Sequence, residues 1–173
     1  MSGVIAGRYT AQTDEPFVVF LIGMRINSFR AVRQWLPTFR AMGPMLRTLN
    51  EHPEQGYLGG EFFLYWRGVA LLQFWRSFED LETFARDPQE PHLSAWRRFN
   101  QVTSKGNKVG VWHETYRVEA GASESVYANM PRFGLGAVMQ HVPAVGNRET
   151  ARRRMGGMDE PAVPTPSSSS TAL

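Results

Sequence analysis

The sequence predicts an α+β fold of the ferredoxin-like type, in the order strand, helix, strand, strand, helix, strand. Three observations lead to this prediction. Residues 17–26 are apolar on both faces of a strand, two strand patterns meet at Arg67-Gly68, and residues 91–99 show helical spacing before a last strand at 108–118. Because helices can cover only one face of the first strand, we expect a second copy of the chain to cover the other face, forming a homodimer.

The composition excludes several classes of protein. The chain has 173 residues and no cysteine, which rules out disulfides, zinc–thiolate sites, thiol nucleophiles and cysteine-ligated haem. The longest apolar run, residues 17–24, is too short to cross a bilayer, and the first residues lack the pattern of a secretory signal. The formal net charge is only +3, far from a basic nucleic-acid-binding surface. We therefore expect a cytoplasmic protein that binds neither nucleic acid nor membrane.

The first half of the chain predicts an arm, a strand, a long helix and a hairpin. Residues 1–16 are expected to be a flexible N-terminal arm. After the first strand, apolar residues at helical spacing predict a helix that Pro37 and Pro44 should break or kink, because proline inside a helix costs about 3 kcal/mol. Strands at 57–66 and 69–76 follow and are joined by the tight turn.

The second half completes the domain and adds an extension. Ser77-Phe78-Glu79-Asp80 is a capping box that opens the second helix. The ferredoxin-like domain is expected to span residues 17–118. Residues 119–145 are apolar enough to wrap back across the domain or its partner, and residues 146–173 form a basic run followed by a disordered tail rich in proline and serine.

His92 is the first candidate for a functional residue. Helical spacing puts its imidazole on one face with the aromatic side chains of Trp96 and Phe99, so we expect it to point into the core. In a purely structural role, its ring would bond to a backbone carbonyl or to Glu90.

His113 is the second candidate. Strand alternation puts its side chain on the side of Val109 and Val111, directed inward, and puts Glu114 and Tyr116 on the opposite face. An imidazole exchanges protons readily near neutral pH, so His113 could act as an acid or base on a bound substrate. A hydrogen bond to a neighbouring side chain is the structural alternative.

Arg76 is the third candidate, at the end of a strand and on the face of Leu72 and Phe74. An inward arginine needs a partner, so it could hold a substrate carboxylate or a haem propionate. An ion pair with Glu79 or Asp80 at the start of the next helix is the alternative.

Several short motifs together resemble a known family. They are Trp35-Leu36-Pro37, Gln73-Phe74-Trp75-Arg76-Ser77, His92 with Ala95-Trp96 and Phe99, Trp112-His113-Glu114-Thr115-Tyr116, Tyr127 with Asn129-Met130-Pro131, and Phe133-Gly134-Leu135-Gly136. The chain resembles a poorly characterised monooxygenase-like family of bacteria and fungi that includes a small oxygenase of fumagillin biosynthesis. The resemblance implies a dimeric α+β barrel, the fold of antibiotic-biosynthesis monooxygenases, haem-degrading monooxygenases, chlorite dismutases and haem-dependent aldoxime dehydratases.

The resemblance implies a haem b site with His92 as the axial ligand, since the proximal histidine of haem proteins with this fold lies on the helix before the last strand. Trp96 and Phe99 would flank the porphyrin, and His113 is the alternative ligand or, with Arg76, a catalytic residue. The expected function is a haem-binding monooxygenase-like or dehydratase-like enzyme that acts on a small hydrophobic or aromatic metabolite in secondary metabolism. A fold does not fix a reaction. The alternatives are a cofactor-free monooxygenase with His113 as its base, and a non-catalytic dimeric ligand-binding protein.

Overall fold

The computed structural model describes residues 3–87 and 106–157. These residues fall into two compact units. One lies within residues 16–118, and the other combines the terminal segments before residue 16 and after residue 118.

The structure contains strands and helices at the following positions. The strands are β1 (Ile5–Gln12), β2 (Phe17–Ile26), β3 (Tyr57–Tyr65), β4 (Gly68–Trp75), β5 (Val109–Val118), β6 (Tyr127–Met130) and β7 (Gln140–Pro143). The helices in the described ranges are α1 (Val32–Glu51), α2 (Phe78–Arg86), α3 (Leu135–Val138) and α4 (Ala151–Arg154), with 3-10 turns at Pro53–Gln55 and Gly146–Arg148. No helix among them is long and apolar enough to span a membrane.

The first unit is built on a four-stranded antiparallel sheet with the strand order β3-β4-β2-β5. The helix α1 connects β2 to β3, and α2 follows β4. The first and third strands of the unit therefore lie at the centre of the sheet, which is the ferredoxin-like arrangement. This confirms the fold class predicted from the sequence. The hairpin turn is one residue earlier than expected, because β3 ends at Tyr65 and β4 begins at Gly68.

One face of this sheet packs against both helices, and we call it the helix-side face. It carries two clusters of buried side chains. The first cluster consists of Val18, Leu49, Tyr57, Trp75, Leu81 and Phe84. The second consists of Met24, Val69 and Val109, with Ile26, Trp35 and Val111 packed against it. The central strand β2 thus contributes to both clusters from alternate positions, as strand periodicity requires.

The helix α1 continues through Pro37 and Pro44 rather than breaking at them. Each proline removes one backbone donor and disfavours the helix. The helix is nevertheless anchored on both sides of the prolines, because Trp35 packs against the second cluster and Leu49 is fully buried in the first. Burial of these two side chains favours a single continuous helix over two short ones.

The second unit corrects the prediction of a flexible N-terminal arm. Residues 5–12 form β1, which is the central strand of a three-stranded antiparallel sheet ordered β6-β1-β7. Tyr9 pairs with Tyr127 on one side and Ala11 with His141 on the other. The expected wrapping extension at 119–145 supplies the two outer strands of this sheet. The pattern of β1 alone did not indicate a strand because its partners lie more than a hundred residues away in the chain.

The basic run after residue 146 contains a short helix and a nearly buried arginine. Thr150 caps the short helix α4, its hydroxyl accepting a hydrogen bond from the Arg153 backbone N–H at 3.2 Å. The side chain of Arg154 is only 5% exposed and forms an ion pair with Glu124. Arg154 also donates to the backbone carbonyls of Arg148 and Glu149. The predicted disordered tail at 159–173 lies outside the described residues.

Candidate functional site

The edge strand β5 places His113 on the helix-side face, in register with Ile22 of β2. The imidazole lies beside Phe20, with 5.8 Å between ring centroids and 43° between ring planes. The side chain is exposed, whereas the sequence predicted that it would be directed into the core. The difference arises because β5 is an edge strand, and residues 113–117 of this strand are all exposed.

His113 is level with the gap between the two buried clusters. Ile22 pairs with His113 on one side and with Leu71 on the other. The first cluster includes Val18 of β2 and the second includes Met24, so this row of side chains lies between them. An imidazole in this position can contact a ligand that lies on the helix-side face.

A cavity of about 270 Å³ lies at the second cluster. It is lined by Met24, Ile26, Phe29, Trp35, Phe39, Leu64, Tyr65, Arg67, Gly68 and Val69. Met24 and the residue opposite it, Val111, are each one same-face step along their strands from Ile22 and His113. Such a step is about 7 Å. The cavity and the His113 imidazole therefore share one face of the sheet and are close in register.

The polar side-chain atoms near the cavity form hydrogen bonds with backbone carbonyls. The Trp35 indole donates to the carbonyl of Phe29 at 3.3 Å. The Tyr65 hydroxyl lies on the opposite face of the sheet, where it donates to the carbonyl of Met24 at 3.0 Å. These bonds leave mainly carbon atoms facing the space. Such a lining suits a small apolar or aromatic molecule.

Arg67 is the charged residue of the cavity wall. Its Nε donates to the carbonyl of Ile26 at 2.9 Å and its Nη2 to the carbonyl of Asn27 at 2.6 Å. The guanidinium carbon lies 4.8 Å from the centroid of the Phe29 ring, within the range of a cation–π interaction. The turn between β3 and β4 thus carries a fixed positive charge to the cavity.

Arg76 forms the ion pair that was the alternative to a substrate-binding role. Its Nε lies 2.9 Å from Oδ2 of Asp80 and its Nη2 lies 3.1 Å from Oδ1 of the same carboxylate. This bidentate contact is the largest cause of the lowered pKa of Asp80. The Arg76 side chain is 60% exposed, so the structure places it at the surface. A role for Arg76 in binding a substrate stays a prediction.

Glu114 and Tyr116 project from the opposite face to His113. The Tyr116 hydroxyl donates to the Glu114 carboxylate at 2.6 Å, and this bond raises the pKa of the phenol. Tyr116 is 50% exposed. Neither residue shares the His113 environment, in keeping with strand alternation.

The predicted haem-binding residues His92, Trp96 and Phe99 lie outside the described residues. Within residues 3–87 and 106–157, no group of three or more histidine and carboxylate side chains converges to bind a metal ion. A haem iron needs only one axial imidazole and an apolar surface beside it. His113, exposed and next to Phe20 and Ile22, meets that chemical requirement. It is therefore a described residue that could hold haem.

The sequence pattern does not single out Arg67, Tyr65 or Phe29 as site residues. Each looked like part of a turn or a strand, because the cavity forms only when the β3–β4 turn meets the segment before α1. One signal was available: an arginine in a turn between two aromatic strands, where glycine or asparagine is the usual residue.

Comparisons with known proteins identify the family. Residues 17–135 match the model of the family described as Monooxygenase af470-like. The protein Monooxygenase af470 of Aspergillus fumigatus is 30% identical in an alignment that covers 79% of this chain and 55% of that protein. The chain thus spans about half the length of the curated relative that it matches.

Three solved structures are similar at low identity. A structural-genomics protein named YJCS is 12% identical with a TM-score of 0.35, covering 60% of this chain and 99% of that one. The protein SO0527 from Shewanella oneidensis is 11% identical with a TM-score of 0.41, covering 69% and 99%. A dimeric protein of unknown function and ferredoxin-like fold from Bacteroides fragilis is 12% identical with a TM-score of 0.36, covering 58% and 96%. From the family match and the curated relative, this chain belongs to the monooxygenase af470-like family.

Proposed function

We propose that this chain is a monooxygenase-like oxidoreductase that acts on a small hydrophobic substrate bound between the sheet and α1. Its family membership supports the reaction class. One structural observation supports the site: an apolar cavity lies on the same face of the sheet as the exposed imidazole of His113, about one same-face step away along the strands.

In this proposal His113 accepts a proton from an activated C–H or O–H group of the substrate. Conversion of a CH₂ group to a carbonyl by O₂ places one oxygen atom in the substrate and the other in water. The reaction then needs no external reductant. The chain contributes a base, an apolar cavity that holds the substrate, and side chains that orient it.

Haem is the second candidate for how oxygen is activated, and it is favoured by the exposed imidazole of His113 beside the Phe20 ring. A bound haem would supply redox chemistry with oxygen. His92 is the ligand that the resemblance implies, and His113 is the alternative. The family description names a monooxygenase and gives no support to the dehydratase alternative.

Oxygen consumption tests the proposed activity. The purified chain is mixed with benzoylacetone, a single-ring compound with an acidic CH₂ group, and oxygen uptake is followed with an oxygen electrode. We expect His113→Ala to lower the rate roughly 100-fold or more, the usual contribution of a general base. His52→Ala is the matched control, because His52 is exposed and pairs with Glu54. Full activity of His113→Ala would contradict the proposal.

Absorption spectra test the haem alternative. Titration of the chain with haemin should produce a Soret band if haem binds, and the band should shift or disappear in the variant that lacks the axial ligand. His92→Ala and His113→Ala are compared directly. Oxygen uptake without a band supports the cofactor-free reaction, and a band unchanged in both variants contradicts both ligand assignments.

A homodimer is also part of the proposal. It is supported by exposed apolar side chains on and next to the edge strand β3, which are uncommon in such number on a monomer. They are Leu58, Phe62, Phe63, Leu64 and Trp66. Light scattering should give twice the mass of one chain, and Leu64→Lys with Trp66→Lys should lower it to the mass of one.

A further inference from the structure

We propose that the cavity binds a carboxylate with an apolar, ring-sized body, and that Arg67 binds the carboxylate group. This inference deepens the proposed function and rests on it in one respect, namely that the cavity holds the substrate. It assigns a charge to that substrate and names the residue that recognises it.

The chemistry of the wall is the first observation. Among the described residues that line the cavity, Arg67 alone carries a charge, and the other nine present aliphatic or aromatic side chains or glycine. Three of the lining rings belong to Phe29, Trp35 and Phe39. A wall with many carbon atoms and one fixed cation is complementary to an amphipathic monoanion.

The rigidity of Arg67 is the second observation. Its side chain donates to two carbonyls, at Ile26 and Asn27, and its own carbonyl accepts a hydrogen bond from the Ile26 N–H at 2.6 Å. The guanidinium also lies over the Phe29 ring. A cation held by three contacts on an anchored backbone is preorganised, so a ligand would not have to order it on binding.

The hydrogen-bonding capacity of the guanidinium is the third observation. Arginine has five N–H donors, and the two side-chain bonds to carbonyls occupy two of them. Across residues 3–87 and 106–157, no carboxylate forms an ion pair with Arg67. A half-buried guanidinium gains most from a carboxylate, whose two oxygens match its fork.

The backbone of Arg67 is the fourth observation. Its φ is +63°, in the left-handed region where a side chain costs backbone energy and glycine would cost less. A non-glycine residue kept in this conformation indicates that its side chain is needed there. The two bonds to carbonyls account for part of the role of this side chain. The positive charge that it places at the cavity wall accounts for the rest.

The size of the cavity limits the apolar body of the ligand. A volume of about 270 Å³ is just below the usual range for small-molecule sites. We therefore expect one aromatic ring or a short alkyl chain next to the carboxylate, not a fused polycyclic skeleton.

Calorimetric titration of the wild-type chain tests the charge preference without any mutation. The probes are hydrocinnamate, hydrocinnamyl alcohol and phenylpropylamine, which share the same body and differ in the head group. We expect the carboxylate to bind roughly tenfold tighter than the alcohol, or more, as a charge-assisted hydrogen bond predicts. The amine should bind most weakly. Equal affinities for the acid and the alcohol would overturn the inference.

Two variants then locate the preference. Arg67→Gln should bring the acid and the alcohol to equal affinity. Arg25→Gln is the matched control, because Arg25 pairs with Gly68 in the same hairpin region but lies on the opposite face of the sheet and is exposed. The preference for the acid over the alcohol should be unchanged in Arg25→Gln. A preference that survives Arg67→Gln, or that is lost in Arg25→Gln, would place the anion site elsewhere and refute the assignment.

Binding and turnover separate this inference from the proposed function. Acid-selective binding that depends on Arg67, with no oxygen uptake from benzoylacetone, supports the anion site and counts against the oxygenase. Oxygen uptake that depends on His113, with no preference for the acid, supports the oxygenase and counts against the anion site.

Discussion

Trp112 and Tyr65 join the two edge strands of the four-stranded sheet: the indole Nε1 of Trp112 donates to the Tyr65 hydroxyl at 3.0 Å. The rings meet edge to face, with centroids 6.5 Å apart. The Tyr65 hydroxyl donates in turn to the carbonyl of Met24 in the central strand. This contact crosses the face opposite to the helices and fixes the strand that carries His113.

Gly23 makes this contact possible, and its replacement is the first prediction. A Cβ at Gly23 would lie 2.6 Å from the Trp112 ring, so Gly23→Ala should destabilise the protein by about 1–3 kcal/mol through overpacking. Urea unfolding followed by tryptophan fluorescence measures the change. Gly110→Ala is the control, because a Cβ there meets nothing closer than 3.6 Å. In a Trp112→Ala background, which lacks the indole ring, Gly23→Ala should lose most of its destabilising effect. An unchanged loss of stability would mean that contact with Trp112 is not its cause.

Asp80 provides the second prediction. Its carboxylate accepts hydrogen bonds from Arg76 and from the Ser77 hydroxyl, and its backbone N–H donates to the Ser77 hydroxyl at the start of α2. Asp80→Asn should therefore cost about 1 kcal/mol, from loss of a partly exposed ion pair and a weaker cap. Glu82→Gln removes the exposed pair with Arg86 and should cost less than about 0.5 kcal/mol. Equal losses would mean that the cap contributes little.

The pH dependence of the Asp80 contribution has a definite sign. Its pKa is lowered in the folded protein, first by the hydrogen bond from Arg76. The stabilisation is therefore complete above the ordinary value of 3.8 and is lost as the pH falls through the folded pKa. Urea midpoints of the wild type and Asp80→Asn should converge in acid. A gap that stays constant with pH would contradict this account.

His141 gives the third prediction, in the second unit. Its ring stacks on Tyr9 at 4.6 Å and lies beside Tyr127, and its Nε2 is buried with no hydrogen-bond partner among the described residues. Burial, followed by the charge of Arg132, lowers the pKa of this imidazole from 6.5. As the pH falls below that value, the unfolded segment takes up a proton first, so the three-stranded sheet loses stability.

Hydrogen exchange measures the His141 effect. The β1 and β7 amides should exchange faster at about pH 5 than at about pH 7 after correction for the intrinsic rate. His141→Phe keeps a stacking ring and removes the titration, so the difference should disappear. Exchange of the β2 and β4 amides in the same sample serves as the internal reference. A pH effect that persists in His141→Phe would refute the assignment.

Arg154 gives the fourth prediction. It is nearly buried, pairs with Glu124 and donates to two carbonyls. Arg154→Ala should destabilise the second unit by roughly 2–4 kcal/mol, because it leaves the partly buried Glu124 without its partner. Arg154→Lys keeps the charge but loses the planar fork, so its loss should be smaller. Protease cleavage after residue 146 measures the change, and equal cleavage of all three proteins would contradict the prediction.

The order of elements in the first unit could be predicted because its signals are local. The alternation in residues 17–26, the turn at Arg67 and the cap at Ser77 each act within a few residues. The same alternation correctly put His113 on the face of Val111. Its exposure could not be predicted, because exposure depends on what packs over an edge strand.

The second unit and the cavity depended on distant contacts. Ile5 is the only large aliphatic residue of β1, and the strand is specified by pairing with β6 and β7. The cavity requires Phe29, Trp35 and Tyr65 to meet from a loop, a helix and a hairpin. No single stretch of sequence carries either pattern, so periodicity could not find them.

The position of β1 between two strands from the other end of the chain has a consequence for biosynthesis. The ribosome makes this strand before both of its neighbours, which are complete only once residues 130 and 143 have been translated. The ferredoxin-like unit can close first, since all its strands precede residue 119. The N-terminal segment must meanwhile wait unpaired, and a nascent chain stalled before residue 140 would expose it to proteases and chaperones.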